Sequence, residues 1–259
     1  MCFAIRLESL KNPEERGSGS FGSSLPNSKA QSEEFEFSAL AKAYYYPRAI
    51  VSEFRPFLEG PLIDVGAGIG QMTELLAQEV APSQLQALEP DPRFAARFRL
   101  RLPHLDLKEL TSQTMPANTQ CKTVTSINVL EHIEDDVTEL RNYHRWLSAS
   151  AGFLCLLVPA RPELYSAIDR DFGHFRRYTR PSLDEALRTA GFLPRHLYYF
   201  NFPGYFAWAL NFKLLGNRRF HSQRVAWYDR WVFRWAHKLE RSGFRPPWGQ
   251  NLIAIAQPR

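Results

Sequence analysis

Three cysteines in 259 residues are too few, and odd in number, for a disulfide framework, which a chain of this length does not need in order to build a core. Cys2, Cys121 and Cys155 lack the spacing of a zinc site, so no metal site is expected. The last two sit in or beside apolar runs, as suits a reducing cytosol. There is no long hydrophobic run either. The most apolar stretch, 197–216, is broken by Asn201, Pro203, Gly204, Asn211 and Lys213 and reads as a strand followed by a short helix rather than a membrane span. The first ten residues carry Arg6 and Glu8 and never develop the apolar core of a secretory signal, so no export is expected. No internal repeat is visible.

Acidic charge is scarce in one place. Between Pro203 and Trp248 nine Lys or Arg face only Asp229 and Glu240, so this segment carries +7 while the remainder carries −2. Five of the six tryptophans lie there too. At the other end, residues 11–34 are rich in Ser, Gly, Pro, Asn and charge, too polar to bury a core. Residues 1–34 are therefore expected to be disordered and 35–259 to form one domain, with 203–248 a basic, aromatic insertion.

Within that domain short apolar runs alternate with helical stretches. A lead-in helix from Pro47 to Phe54 is followed by strand Leu62 to Val65, helix Gln71 to Val80, strand Gln84 to Leu88 and helix Pro92 to Leu100. Strands near Leu105 to Leu110 and Lys122 to Ile127, helix Glu134 to Leu147 and strand Gly152 to Val158 continue the pattern. Helix Arg180 to Ala190, strand His196 to Phe200 and a last run, Leu252 to Ala256, complete it. The alternation implies an α/β fold: a Rossmann-like, doubly wound, mostly parallel sheet, with an antiparallel last strand after the helical insertion.

The first strand ends in Asp64-Val65-Gly66-Ala67-Gly68-Ile69-Gly70, a sharp strand-to-helix turn whose backbone N–H groups are expected to approach a nucleotide-like ligand. Such turns also serve merely to pack helix on strand. The dinucleotide pattern needs a glycine at 71, where this chain has Gln71, which counts against a nicotinamide-dependent oxidoreductase. Asp64, just before the first glycine, is placed to order the loop and reach toward an ammonium group, a charge that a pyrophosphate site would avoid. The second strand ends in Glu89, the expected bidentate acceptor for two ribose hydroxyls. Its bland alternative, a carboxylate at a helix N-terminus, is a role that Asp91 already fills.

The stretches 63–70, Ala87-Leu88-Glu89-Pro90, Asn128-Val129-Leu130-Glu131-His132-Ile133 and the closing Asn251 to Ala256 together resemble class I S-adenosylmethionine-dependent methyltransferases, from Tyr44 onward. Gly173-His174-Phe175-Arg176-Arg177-Tyr178-Thr179, after Val158-Pro159-Ala160, resembles a bacterial subgroup related to ubiquinone-type methyltransferases. The resemblance implies that Gly66 and Gly68 contact the methionine part of the cofactor, Glu89 the ribose, and the Thr111-Ser112 turn the adenine. It also implies that the backbone at Asn128, Val129 and Leu130 lies beside the sulfonium. Many relatives carry an Asp in the adenine turn, where a hydroxyl accepts more weakly.

Methyl transfer from a sulfonium needs alignment and dryness, and, for a hydroxyl acceptor, a base. His132, His174 and Glu131 are the candidates. Against them stand a turn-capping role for His132 and a salt-bridged loop around His174, Arg177 and Tyr178. Tyr44 and Tyr45 either cover the sulfonium by cation–π contact or simply pack. From Ser222 to Arg241 a helical projection places Val225, Tyr228, Val232, Trp235 and Leu239 on one face. That is the usual mark of a helix packed on a core. As a lid over the acceptor pocket, the insertion would favour an acidic, amphipathic or lipid-linked small-molecule acceptor and weak contact with anionic membrane surfaces. Nucleic acid is disfavoured, since no binding module for it is visible. A rival reading is a non-catalytic protein that keeps the cofactor fold and uses the insertion for binding.

Overall fold

The computed structural model describes residues 42–217 and 222–259; the segment expected to be disordered, Cys2, Arg218 and Arg219 lie outside them. Helix α1 (Tyr45–Phe54) begins two residues before Pro47 and buries Ala49, Ile50, Val51 and Phe54. Strand β1 (Leu62–Val65), helix α2 (Gln71–Leu76), β2 (Leu85–Leu88), α3 (Pro92–Arg101) and β3 (Asp106–Lys108) build the first half. β4 (Thr123–Ile127), α4 (Asp136–Leu147), β5 (Phe153–Pro159), a short α5 (Ala167–Asp171), α6 (Arg180–Thr189), β6 (Phe192–Phe200) and β7 (Asn251–Pro258) build the second.

Among the described residues seven strands form one sheet in the order β3-β2-β1-β4-β5-β7-β6. Strands β1 to β5 pair in parallel, and β7 runs antiparallel to both β5 and β6. The chain steps outward from β1 to β3 and then returns beside β1 as β4, so the direction of winding reverses between β1 and β4. A crevice opens at the carboxyl ends of strands at such a reversal. Every residue of β1 and β4 is buried, because helices cover both faces. One layer centres on Tyr143 and Trp146 of α4 with Leu183 and Leu187 of α6. The other packs α1, Phe200 and Phe233 against Ile253 and Ile255.

Strand β6 starts four residues earlier than expected. Pro194 and the exposed Arg195 and His196 disguise it, and an edge strand tolerates them because its outer row needs no partner; the register slips between Pro194 and His196.

The insertion consists of α7 (Phe202–Trp208), prolonged by a π-helical turn Ala209–Leu214, then α8 (Ser222–Tyr228), a second π-helical turn Asp229–Phe233, and α9 (Arg234–Arg241). A π-turn adds a residue to the helix and rotates the next turns by about 100°. This corrects the uninterrupted helical projection: Trp235 and Leu239 point outward, 57% and 48% exposed, while Asp229, Phe233 and Glu240 are buried. The two acids of the insertion satisfy helix starts. Asp229 accepts from the backbone N–H of Tyr44, Tyr45 and Tyr46 at 2.7, 2.8 and 2.8 Å, and Glu240 from those of Asn201 and Phe202 at 3.3 and 2.8 Å. The insertion is thereby tied both to α1 and to the end of β6.

At Gly70, which ends the loop after β1, φ is +84° and a Cβ would meet Leu102 Cδ1 at 2.7 Å and Phe98 Cδ2 at 3.0 Å. Gly216 has φ of +62° with open space around it. Gly70→Ala is expected to destabilise the fold by about 2–4 kcal/mol, from left-handed strain plus overpacking, and Gly216→Ala by about 1 kcal/mol. Denaturant titration of the two variants checks this; equal losses would contradict it.

Candidate active site

The loop after β1 is held from within. Gly66 N–H and Ala67 N–H donate to the carbonyl of Leu88 at 2.8 and 2.9 Å, Gly70 N–H to the carbonyl of Ala67 at 2.9 Å, and Gly68 N–H to Glu89 Oε2 at 2.8 Å. This corrects the expectation of free donors: the N–H groups at 66, 67, 68 and 70 are already satisfied. With these four donors engaged, one of them by a carboxylate, none of these positions has an N–H left for an anion. Gly66 and Gly68 have φ of +74° and +58°; Ala67 packs into the layer under α2, and Gly70 faces α3.

Glu89 is fully buried, and its other oxygen accepts from Asp91 N–H at 2.9 Å. Asp91 in turn caps α3 through Arg93 N–H. Asp64 is buried beneath the loop, its two oxygens accepting from Thr73 and Thr125 hydroxyls at 2.7 Å each; burial holds its carboxyl above the usual range. Its oxygens are directed at the helix and the neighbouring strand. In the turn expected to meet the adenine, Thr111 bonds locally with Thr114. Ser112 is buried and donates to Glu139 of α4 while accepting from Asn142 Nδ2 at 3.1 Å, so the turn is braced by a carboxylate from another element. Burial pushes the Glu139 carboxyl up. No local pattern pointed to Glu139, because it lies 27 residues downstream of the turn.

Past β4 the backbone turns at Asn128, in the left-handed region at φ +53°. Val129 and Leu130 turn their side chains into the core, leaving backbone at the crevice. The Asn128 carboxamide oxygen is buried without a hydrogen-bond partner among the described residues. A buried acceptor of this kind calls for a donor or a positive charge from a ligand.

Beside it lies a polar cluster pinned by α5 and the loop after it. Asp169, fully buried, accepts from Ser166 N–H and Oγ, from His174 Nδ1 at 3.1 Å and from Arg177 Nε at 2.7 Å. Burial alone would raise its carboxyl, but the His174 hydrogen bond and the Arg177 charge outweigh that and hold it low. With Nδ1–H directed at Asp169, the tautomer leaves His174 Nε2 as an acceptor. That atom is 4.0 Å from Glu131 Oε1 and has no hydrogen-bond partner among the described residues. Burial holds His174 below the usual histidine range. His132 meets the His174 ring edge-on at 4.6 Å, and donor atoms of Glu131, His132 and His174 all lie within 4.8 Å of one another, a donor set that can also hold a divalent ion.

A cavity of about 590 Å³ joins these groups to the insertion. Asn128 and Glu131 line it from the end of β4, His174 and Arg177 from the loop after α5, Asn201 from the end of β6, and Trp208, Phe212, Trp227 and Tyr228 from the insertion. The glycine loop, Glu89 and the Thr111-Ser112 turn are not part of its lining. Of the residues expected near an acceptor, Arg177 lines the cavity and stacks on Trp208 at 4.4 Å. Tyr178 instead donates to Asp136 at 2.7 Å. Tyr44 stacks under Arg48, 57% exposed, and Tyr45 under Arg234; the cavity is lined by their neighbour Tyr46. Three consecutive tyrosines offer no phase by which to choose among them.

A methyltransferase-domain family model matches residues 39–197. No curated protein matches the chain. An S-adenosylmethionine-dependent methyltransferase from Thermotoga maritima is similar in structure, with a TM-score of 0.58 at 15% identity over 89% of this chain and 98% of that one. Another, from Mesorhizobium loti, has a TM-score of 0.54 at 16% identity over 81% and 97%. With the family model spanning more than half of its length, the chain belongs to the methyltransferase-domain family, built on the class I S-adenosylmethionine-dependent methyltransferase fold.

Proposed function

We propose that this chain transfers a methyl group from S-adenosylmethionine to a small amphipathic or lipid-linked acceptor held in the cavity beneath the insertion. The observation that carries the reading is the Asp169–His174 pair in the wall of that cavity, beside the end of β4, which leaves the other ring nitrogen of His174 unprotonated. The residues fit the cofactor. The N–H groups of Gly66, Ala67, Gly68 and Gly70 are satisfied internally, which suits an ammonium and not a phosphate; Glu89 places a carboxylate at the end of β2, where a sugar diol would lie; and Asn128 offers a buried acceptor where a sulfonium would lie. Asp64 braces the loop from below, and Thr111 and Ser112, backed by Glu139, meet the adenine. When bound, the cofactor supplies an electrophilic methyl group on a cationic sulfur.

The chain's own part is positioning and proton removal. Trp208, Phe212 and Tyr228 exclude water and hold the apolar body of the acceptor, while Arg177 and the polar cluster receive its polar end. His174 takes the acceptor's proton at Nε2, and the Asp169 carboxylate stabilises the resulting imidazolium. Glu131 and His132 set the field around it. The insertion acts as the lid of this pocket, anchored through Asp229 and Glu240.

A radiolabelled-methyl assay against lipid, small-molecule and protein fractions tests the reading; cofactor binding with no labelled product in any fraction would favour a non-catalytic role. His174→Ala is expected to lower kcat by about 10²–10⁴-fold with cofactor affinity unchanged. Because burial depresses the His174 pKa, the base form predominates at neutral pH, and kcat should fall on acidification with a midpoint below the ordinary value of about 6.5. That acid limb should be absent from the variant. An unchanged rate with a large loss of cofactor binding would remove His174 from this role. Turnover should also survive chelation; loss on treatment with EDTA, restored by a divalent ion, would make Glu131, His132 and His174 ligands instead.

A further inference from the structure

Among the described residues thirteen large hydrophobic side chains stand exposed, and ten of them lie between Phe206 and Trp248. They are ordered. Phe206, Leu210 and Leu214 recur every four residues along α7 and its π-turn, with Leu214 75% exposed; Trp227, Trp231, Trp235 and Leu239 do the same along α8 and α9. The two helical segments touch each other. The extra residue of the Asp229–Phe233 turn sets Trp235 and Leu239 on the same outward face as Trp227 and Trp231.

The charge beside these rows is of one sign. Arg230 lies over Trp231, and Arg234 and Lys238 over Trp235, at 5.6, 5.7 and 4.5 Å from the ring centroids. Asp229 and Glu240 face inward on backbone N–H groups, so the outer face of α8 and α9 presents cations and indoles with no acid among them. We propose that this face docks on the surface of an anionic lipid bilayer. Indole rings settle at the headgroup level, aliphatic side chains reach the acyl boundary, and arginines meet lipid phosphates. A second copy of the chain would bring like charge against like charge, and a nucleic acid would leave Leu210, Leu214 and Leu215 without an apolar partner. Trp227 and Arg224 are exposed and also line the cavity, so the cavity rim lies on the docking face. Resting on the methyltransferase reading, the further consequence is that the acceptor enters from the bilayer, its polar end first, toward Arg177 and His174.

The full chain should be sedimented with vesicles of phosphatidylcholine alone and of phosphatidylcholine with phosphatidylglycerol. Binding is expected to the anionic vesicles only and to weaken with salt. Trp231→Ala with Trp235→Ala, and separately Arg230→Glu with Lys238→Glu, should each reduce it by about tenfold or more. Calorimetry of the same variants with S-adenosylmethionine should match the parent, which shows them folded and keeps the two readings separable. Background sedimentation with both vesicles alongside intact cofactor binding overturns the docking and leaves the methyltransferase reading standing. Vesicle binding unchanged by either pair of substitutions, preferential binding of duplex DNA, or a dimer abolished by the tryptophan substitutions also overturns the docking.

Discussion

A carboxylate taken wholly out of water is tenable only where donors meet its lone pairs, and Glu89 is such a group. One oxygen holds Gly68 of the loop after β1 and the other holds Asp91 at the start of α3, so the ends of two adjacent strands are fixed to each other through a single side chain. Because Leu88 also accepts from Gly66 and Ala67, the loop has its shape before any ligand arrives. Preorganisation of this kind lowers the ordering cost of binding. Charge-assisted bonds to backbone N–H groups also make the arrangement stiff. The switch in strand order between β1 and β4 then brings Asn128 and the polar cluster to the same crevice.

A second pair of buried acids does for the insertion what Glu89 does for the loop. Asp229 and Glu240 each sit on the N–H groups of a helix start, one on α1 and one on α7. Their negative charge is matched by helix ends, so it does not soften the basic outer face. The same two contacts hold Trp208 and Tyr228 against the cavity and set Tyr46 at its edge. Insertion, cavity and outer face are therefore one mechanical unit, and a change at Asp229 would be felt in all three.

The sheet, its winding and the antiparallel last strand were legible because buried parallel strands leave apolar runs between helical periods. The glycine turn at the end of β1 was legible from its spacing, whereas the bonds from Gly68 and Asp91 to Glu89 were not. What escaped the sequence depends on contacts between distant residues or on local irregularity. Glu139 reaches the Thr111-Ser112 turn from α4, and Asp169 becomes the orienting partner of His174 through the fold of α5. The π-turn at Asp229–Phe233 has no residue signature, so a regular projection placed Trp235 and Leu239 inward when they point out. Tyr44, Tyr45 and Tyr46 are alike in sequence, and only the start of α1 decides that Tyr46 is the one at the cavity.

Isothermal titration of the purified chain with S-adenosylmethionine, with NAD as the comparison and Glu89→Gln as the variant, bears most directly on the cofactor loop. Saturable heat is expected with the sulfonium nucleotide and none with the dinucleotide, together with a loss of about tenfold or more in affinity when one oxygen of the carboxylate becomes an amide. Saturable binding of NAD, or S-adenosylmethionine affinity unaltered by the substitution, would contradict the role given to Glu89 and its loop.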